Sequence, residues 1–164
     1  MRLTHWTDYT LRVLIFCAAT QKREKAPTVS EIATLHQISR SHLMKIVMEL
    51  AANGLLVTSR GRGGGIRLLK PANQIVVGDV VRQTETDFDM VECFDHASNS
   101  CKLDGRCKLK SALQTATKRY LDTLDELTIA DLLPTAQQIV KPPKSLKICV
   151  LIENLDPRRR ESLP

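Results

Sequence analysis

Residues 28–54, TVSEIATLHQISRSHLMKIVMELAANG, constrain the fold more than any other part of the chain. Their apolar residues recur at helical spacing in two blocks, Val29, Ile32, Ala33, Leu35 and then Leu43, Ile46, Val47, Leu50. A short turn at Gln37–Ile38 divides the blocks. Thr28 with Glu31 fits a capping box, so the first helix should begin near Val29. Ser39 suits the N-cap of a second helix running to about Asn53, and Gly54 should end it. Arg40, Ser41, His42 and Lys45 crowd the polar start of this second helix. That is a helix-turn-helix layout, with hydrogen-bond donors where a recognition helix meets base edges.

A hairpin is expected next. Residues 55–60 and 66–69 read as two short strands, and GRGGG between them, residues 61–65, makes a tip that tolerates positive φ. The run could serve only as a tight turn; it lacks the Lys-Ser/Thr ending of a phosphate loop. Arg60, Arg62 and Arg67 decorate the hairpin. A helix-turn-helix followed by a basic hairpin is a winged helix, so the expected class is mainly α with a small β wing. The helix would enter the major groove of duplex DNA while the wing reaches phosphates or the minor groove. The expected DNA contacts are Thr28, Ser39, Arg40, Ser41, His42 and Lys45, with Arg60, Gly61, Arg62 and Arg67 from the wing.

Charge is placed to match. Residues 1–85 hold 12 Lys and Arg against 6 Asp and Glu, and the remainder holds 12 against 12, so the net +6 belongs to the first half. This suits a module that meets a polyanion joined to one that does not. Aromatics at 4% argue against the stacking platforms that hold single strands. The longest stretch without a charged residue, residues 50–59, is far short of the roughly 20 apolar residues of a membrane helix. Arg2, Asp8 and Arg12 interrupt the start, so no signal-peptide core is expected and the cytoplasm is the expected location.

The remaining pattern divides the chain into a winged helix over residues 1–85, a cysteine loop over 86–107, a dimerisation helix region over 108–135 and a tail over 136–164. A helix over residues 4–21 opens the first part, and a short one near Gly78 closes it. From about Cys107 a long helix carries Leu109, Leu113, Ala116, Tyr120 and Leu124 in one stripe. The winged helix already has a core of its own, so this stripe is expected to pair with a second copy. Thr128 with Asp131 predicts a further short helix, IADLL, stopped by Pro134. The tail holds a possible strand, ICVLI, and the run Arg158–Arg160, which reads as a solvated patch.

Of five cysteines, three fall in the loop with the spacing Cys93-x7-Cys101-x5-Cys107. Thiolates are soft ligands for zinc, copper(I) or an iron–sulfur cluster. The short paired spacings of closed zinc sites are missing, and wide spacing suits a larger object with one iron left to another ligand. Zinc with His96 as fourth ligand, and three free thiols, stand as alternatives. Cys17 lies on the inner face of the first helix and reads as packing, and Cys149 reads as a free thiol. A redox enzyme or cluster carrier is disfavoured: there is no Cys-x-x-Cys pair, nucleotide loop or acid–base constellation.

Together LTHWTDYTLRVLIFCA, SRSHLMKIVMELAANG, RGRGGGIRL, GDVVRQTE and the three cysteines resemble the Rrf-two superfamily of winged-helix regulators, in register over about residues 1–135. The likeness is nearest to its nitric-oxide-sensing iron–sulfur repressors. It implies a homodimer that binds an inverted repeat in duplex DNA and releases it on meeting nitric oxide. It implies a cluster, [4Fe–4S] before [2Fe–2S], on Cys93, Cys101 and Cys107. It also makes Asp8, in Thr7-Asp8-Tyr9, the fourth ligand, given across the dimer, and Arg12, one turn later, the residue that holds it. The cluster-assembly regulators of the superfamily use a histidine three residues after the last cysteine, where this chain has Lys110. The x7 spacing and the ECF around Cys93 also occur in its iron-responsive repressors, which makes iron supply the alternative signal.

Overall fold

The computed structural model describes residues 2–134 apart from 62, 96, 98 and 104. Arg62 and His96 therefore lie outside the described residues, as do Cys149, the ICVLI segment and Arg158–Arg160. Among the described residues there are five α-helices and one two-stranded sheet, in the order α1 (His5–Ala19), α2 (Val29–His36), α3 (Arg40–Ala52), β1 (Leu56–Ser59), β2 (Gly65–Leu68), α4 (Val77–Thr84) and α5 (Lys108–Asp125).

Each early helix starts at a residue that satisfies its free N–H groups. Thr4 Oγ1 accepts from Thr7 N, Thr28 Oγ1 from Glu31 N and Ser39 Oγ from His42 N. The capping box at α2 is only half formed. The Glu31 carboxylate turns away to an ion pair with Arg23 at 2.7 Å. Gln37 ends α2 in the left-handed region at φ 55°, and Ile38 N bonds back to Ala33 O.

The strands pair antiparallel with Leu56 opposite Leu68 and Ser59 opposite Gly65. At the tip, Gly61 and Gly63 take φ values of 92° and 83°, which a β-carbon disfavours. One core joins these elements. Leu14, Ile32, Leu43, Ile46, Val80 and Val81 are fully buried in it, along with Ile129.

The predicted helix IADLL does not form. Residues 128–133 make turns, and Thr128 instead forms an antiparallel bridge with Val76. Ile129 N donates to Ile75 O at 2.9 Å, and Val77 N to Leu127 O at 2.8 Å. Thr128 and Asp131 do meet, since Asp131 Oδ2 accepts from both the Thr128 amide and its hydroxyl. This closes a turn rather than a helix. Pairing with residues 75–77 claims the backbone groups that a helix would need.

α5 differs from the other helices in having no buried residue. Its C-terminal Leu124 leans on the winged-helix core, whereas Leu109 near its start is 62% exposed. Leu113 and Tyr120 are half-buried and Ala116 is exposed. No helix among the described residues is long and apolar enough to cross a membrane.

Candidate functional site

α3 presents one face outward. Leu43, Ile46, Val47 and Leu50 face the core, which leaves Arg40, Ser41, Met44, Lys45 and Met48 on the exposed side. The wing stands beside it, with Arg60 and Gly61 exposed at the tip. A groove of about 580 Å³ runs between helix and wing; Arg40 and Arg60 line it, and no carboxylate does. Basic groups on both banks suit a polyanionic strand.

The expected contacts fall into two groups. Arg40, Ser41, Lys45, Arg60 and Gly61 are exposed on this surface. Thr28 and Ser39 are exposed too, but their hydroxyls already cap helices. Two others, both half-buried, already have partners within the protein. His42 packs tilted against Trp6 and edge-on to Tyr9 of α1, with ring centroids 5.5 and 5.4 Å away. Arg67 donates to the carbonyls of Gln21, Arg23 and Glu24 at 2.9–3.0 Å. It ties the loop after α1 to the wing, because the guanidinium turned toward that loop has five donors to place. Sequence patterning counts an arginine on a hairpin without showing which way it turns.

On α1, Arg12 grips Asp8 with two parallel bonds, Nε to Oδ1 at 2.9 Å and Nη2 to Oδ2 at 2.8 Å. This geometry raises the Arg12 pKa, chiefly through the hydrogen bond to Asp8. Thr4 just before α1 is tied to α4's end, its amide and hydroxyl both donating to Glu85 Oε1 at 2.8 and 3.1 Å. No local pattern signals that link, which spans 81 positions. His36 faces the Asp8–Arg12 pair from α2. Burial and the Arg12 charge lower its pKa against the opposing pull of Asp8, and its Nε2 is buried without a partner.

The three loop cysteines are free of disulfides. Cys93 is buried in a short 3₁₀ turn, Glu92–Phe94, while Cys101 and Cys107 are half-buried. Cys107 is the N-cap of α5, yet no side chain caps that helix and its first turn holds no acid. Lys108 and Lys110 are there instead, at the positive end of the helix dipole, an unfavourable start for a helix. A hollow of about 360 Å³ opens at this end, lined by Arg106, Cys107, Lys108 and Lys110 among others. A thiol beside basic side chains there suits an anionic, thiolate-bound group. Among the described residues no three His, Cys, Asp or Glu side chains converge as a metal site. The donor chemistry therefore fits an iron–sulfur cluster, while the chain alone does not gather the thiols at one point. Cys17, at 2% exposure, belongs to the core, and burial pushes its thiol up to about 12.

Residues 3–135 match the family Rrf2, described as iron-dependent transcriptional regulators. The chain belongs to the Rrf2 family. Among its curated relatives is the HTH-type transcriptional regulator NsrR of Bacillus subtilis, 46% identical over 141 residues, spanning 86% of this chain and 96% of that one. The NsrR of Halalkalibacterium halodurans is 43% identical over 139 residues, spanning 85% and 94%. Among solved structures, T. potens IscR aligns with a TM-score of 0.62 at 24% identity, over 80% of this chain and 85% of that one. CymR, the global cysteine regulator of B. subtilis, aligns with a TM-score of 0.60 at 26% identity, over 80% and 95%. The winged-helix fold is thus shared across Rrf2 regulators. This Rrf2 chain is accordingly a DNA-binding transcriptional regulator and not an enzyme.

Proposed function

We propose that this Rrf2 protein is a homodimeric repressor that reads an inverted repeat in duplex DNA and carries an iron–sulfur cluster through which nitric oxide lowers its DNA affinity. The observation that carries the sensing half is the start of α5. Cys107 stands at the N-cap position of a helix whose first turn holds no acid and bears Lys108 and Lys110, beside a hollow lined by Arg106. The two NsrR relatives, both named as regulators at 43–46% identity, support the same reading.

Cys93, Cys101 and Cys107 would hold the cluster, [4Fe–4S] in preference to [2Fe–2S], and Asp8 of the partner subunit would complete the set. When bound, the cluster supplies iron that nitric oxide can attack. The chain's own residues do the rest. Arg12 fixes the Asp8 carboxylate in one orientation on α1. Trp6 and Tyr9 of the same helix pack on His42, next to the N-cap of α3. A change in the hold on Asp8 therefore bears on the helix that carries Arg40, Ser41 and Lys45. The α5 stripe, with exposed Leu109 and Ala116 and half-buried Leu113, would pair the subunits so that two α3 helices meet successive major grooves. A thousandfold fall in affinity needs about 4 kcal/mol of differential interaction between the two states.

An anaerobic visible spectrum tests this, followed while nitric oxide or a mild iron chelator is added in parallel. A few equivalents of nitric oxide should bleach the cluster and release operator DNA, with the chelator inert. The family description as iron-dependent favours a second reading, in which iron supply is the signal. Ready loss of colour and of DNA binding to the chelator alone would select that one. Colourless protein with stoichiometric zinc would remove the cluster altogether.

A further inference from the structure

We infer that Met44 is a sequence-reading residue that recognises the 5-methyl group of one thymine in each half of the binding site. The inference rests on the DNA-binding reading and goes further, assigning a base. Arg40, Met44 and Met48 follow one another at intervals of four along α3 and form one line on its outward face. The two methionines are 37% and 66% exposed, and both line the groove between α3 and the wing. Lone apolar residues on a surface need no explanation. Two in a row on a recognition surface with arginines on both sides do.

Position separates the two. The first turns of a recognition helix are the ones that approach base edges. Met44 is one turn past Arg40, about 6 Å along the axis, and Met48 is a further turn on, away from the start of the helix. A thioether is at best a weak acceptor and has no donor. Against a guanine, cytosine or adenine edge it would displace water and return little. The thymine methyl is the one apolar group that the major groove offers. The flexible methionine side chain can settle on it with little strain. Arg40 beside it supplies a charged contact to an adjacent base or phosphate.

The test selects a duplex from a random-sequence pool with the full-length protein, prepared anaerobically. Each thymine is then replaced by deoxyuridine, which removes only the methyl. One position per half-site should lose about fourfold in affinity, the value of one buried methyl group. Met44→Ala should bind the thymine and deoxyuridine duplexes equally. Met44→Leu should keep the discrimination, and so should Met48→Ala. Deoxyuridine without effect at every position overturns the inference, as does a loss that persists undiminished in Met44→Ala. Both outcomes leave DNA binding standing. Failure to select any duplex sinks the DNA-binding reading and this inference with it.

Discussion

The carboxylate of Asp125, at the end of α5, closes over Gly78 in α4 and fills the space that a β-carbon there would take. Arg82 completes the contact with two bonds of 2.6 Å to Asp125 Oδ1 and Oδ2. The pair holds Asp125 below its ordinary carboxylate range and raises Arg82, in each case chiefly through their mutual hydrogen bond. α4 is the helix with which α5 makes its main contact in this chain. The clamp therefore joins the long helix, and the cysteine loop before it, to the winged helix.

Gly78→Ala should force the Asp125 side chain out and break the clamp. The clashing atoms are the ends of two flexible side chains, and alanine is favoured over glycine inside a helix, so the melting temperature should change little while the Arg82–Asp125 pair is lost. Asp125→Asn, which brings no such gain, should lower it slightly. The double variant should fall short of the sum, because both changes remove the same contact. Strict additivity in thermal melts would mean that Asp125 and Gly78 act independently.

Arg60 and Arg67 belong to the same wing and should behave differently. Arg60 is exposed at the tip, whereas Arg67 is bonded to three carbonyls. Arg60→Ala should weaken DNA binding and flatten the slope of log K against log salt by about 1, the signature of one lost phosphate contact. Arg67→Ala should leave that slope unchanged and instead destabilise the fold by about 2 kcal/mol, the scale of charged hydrogen bonds lost. Salt titrations and urea melts of both variants separate the roles. A reduced slope for Arg67→Ala would return it to the DNA surface.

That contrast shows where sequence patterning reaches and where it stops. Helix starts at Thr28 and Ser39 and the glycine-rich tip were legible because each is local, set by a residue's own hydrogen bonding or φ preference. Ser39 to Gly54 was legible for the same reason. The segment after Leu127 was not. Its apolar spacing fits a helix, and only the distant backbone of residues 75–77 decides otherwise. At the site, the thiols and the Asp8–Arg12 spacing could be read in the chain. The turn of Arg67 toward the loop after α1, the packing of His42 on Trp6 and Tyr9 and the Thr4–Glu85 tie could not, because each depends on partners brought close only by folding.

The exposed half of α5 makes a separable prediction about assembly. Leu113→Glu should convert the proposed dimer to monomer in sedimentation equilibrium, since it would place a charge in the proposed apolar seam. Far-ultraviolet circular dichroism should be unchanged, because α5 has no buried residue in the single chain. DNA affinity should fall steeply as two half-sites are no longer engaged together. A variant that remains dimeric would place the subunit interface elsewhere.

His36 gives the chain a pH dependence whose sign can be worked out. Burial and the neighbouring Arg12 hold its folded pKa below the ordinary 6.5. The unfolded chain therefore takes up the proton at a higher pH than the folded one does. Stability from this group is full above pH 6.5 and is lost progressively as pH falls from there through the lower folded value. Cluster-free protein should accordingly melt at lower temperature as pH is brought from about 7.5 to 5.5. His36→Gln, which cannot take up a proton, should show a smaller fall across the same window. Its edge contact with Phe16, at 6.1 Å between ring centroids, is lost in the variant, so the comparison rests on the slope with pH and not on the absolute melting temperature. An equal slope in both proteins would assign the acid sensitivity to the carboxylates instead.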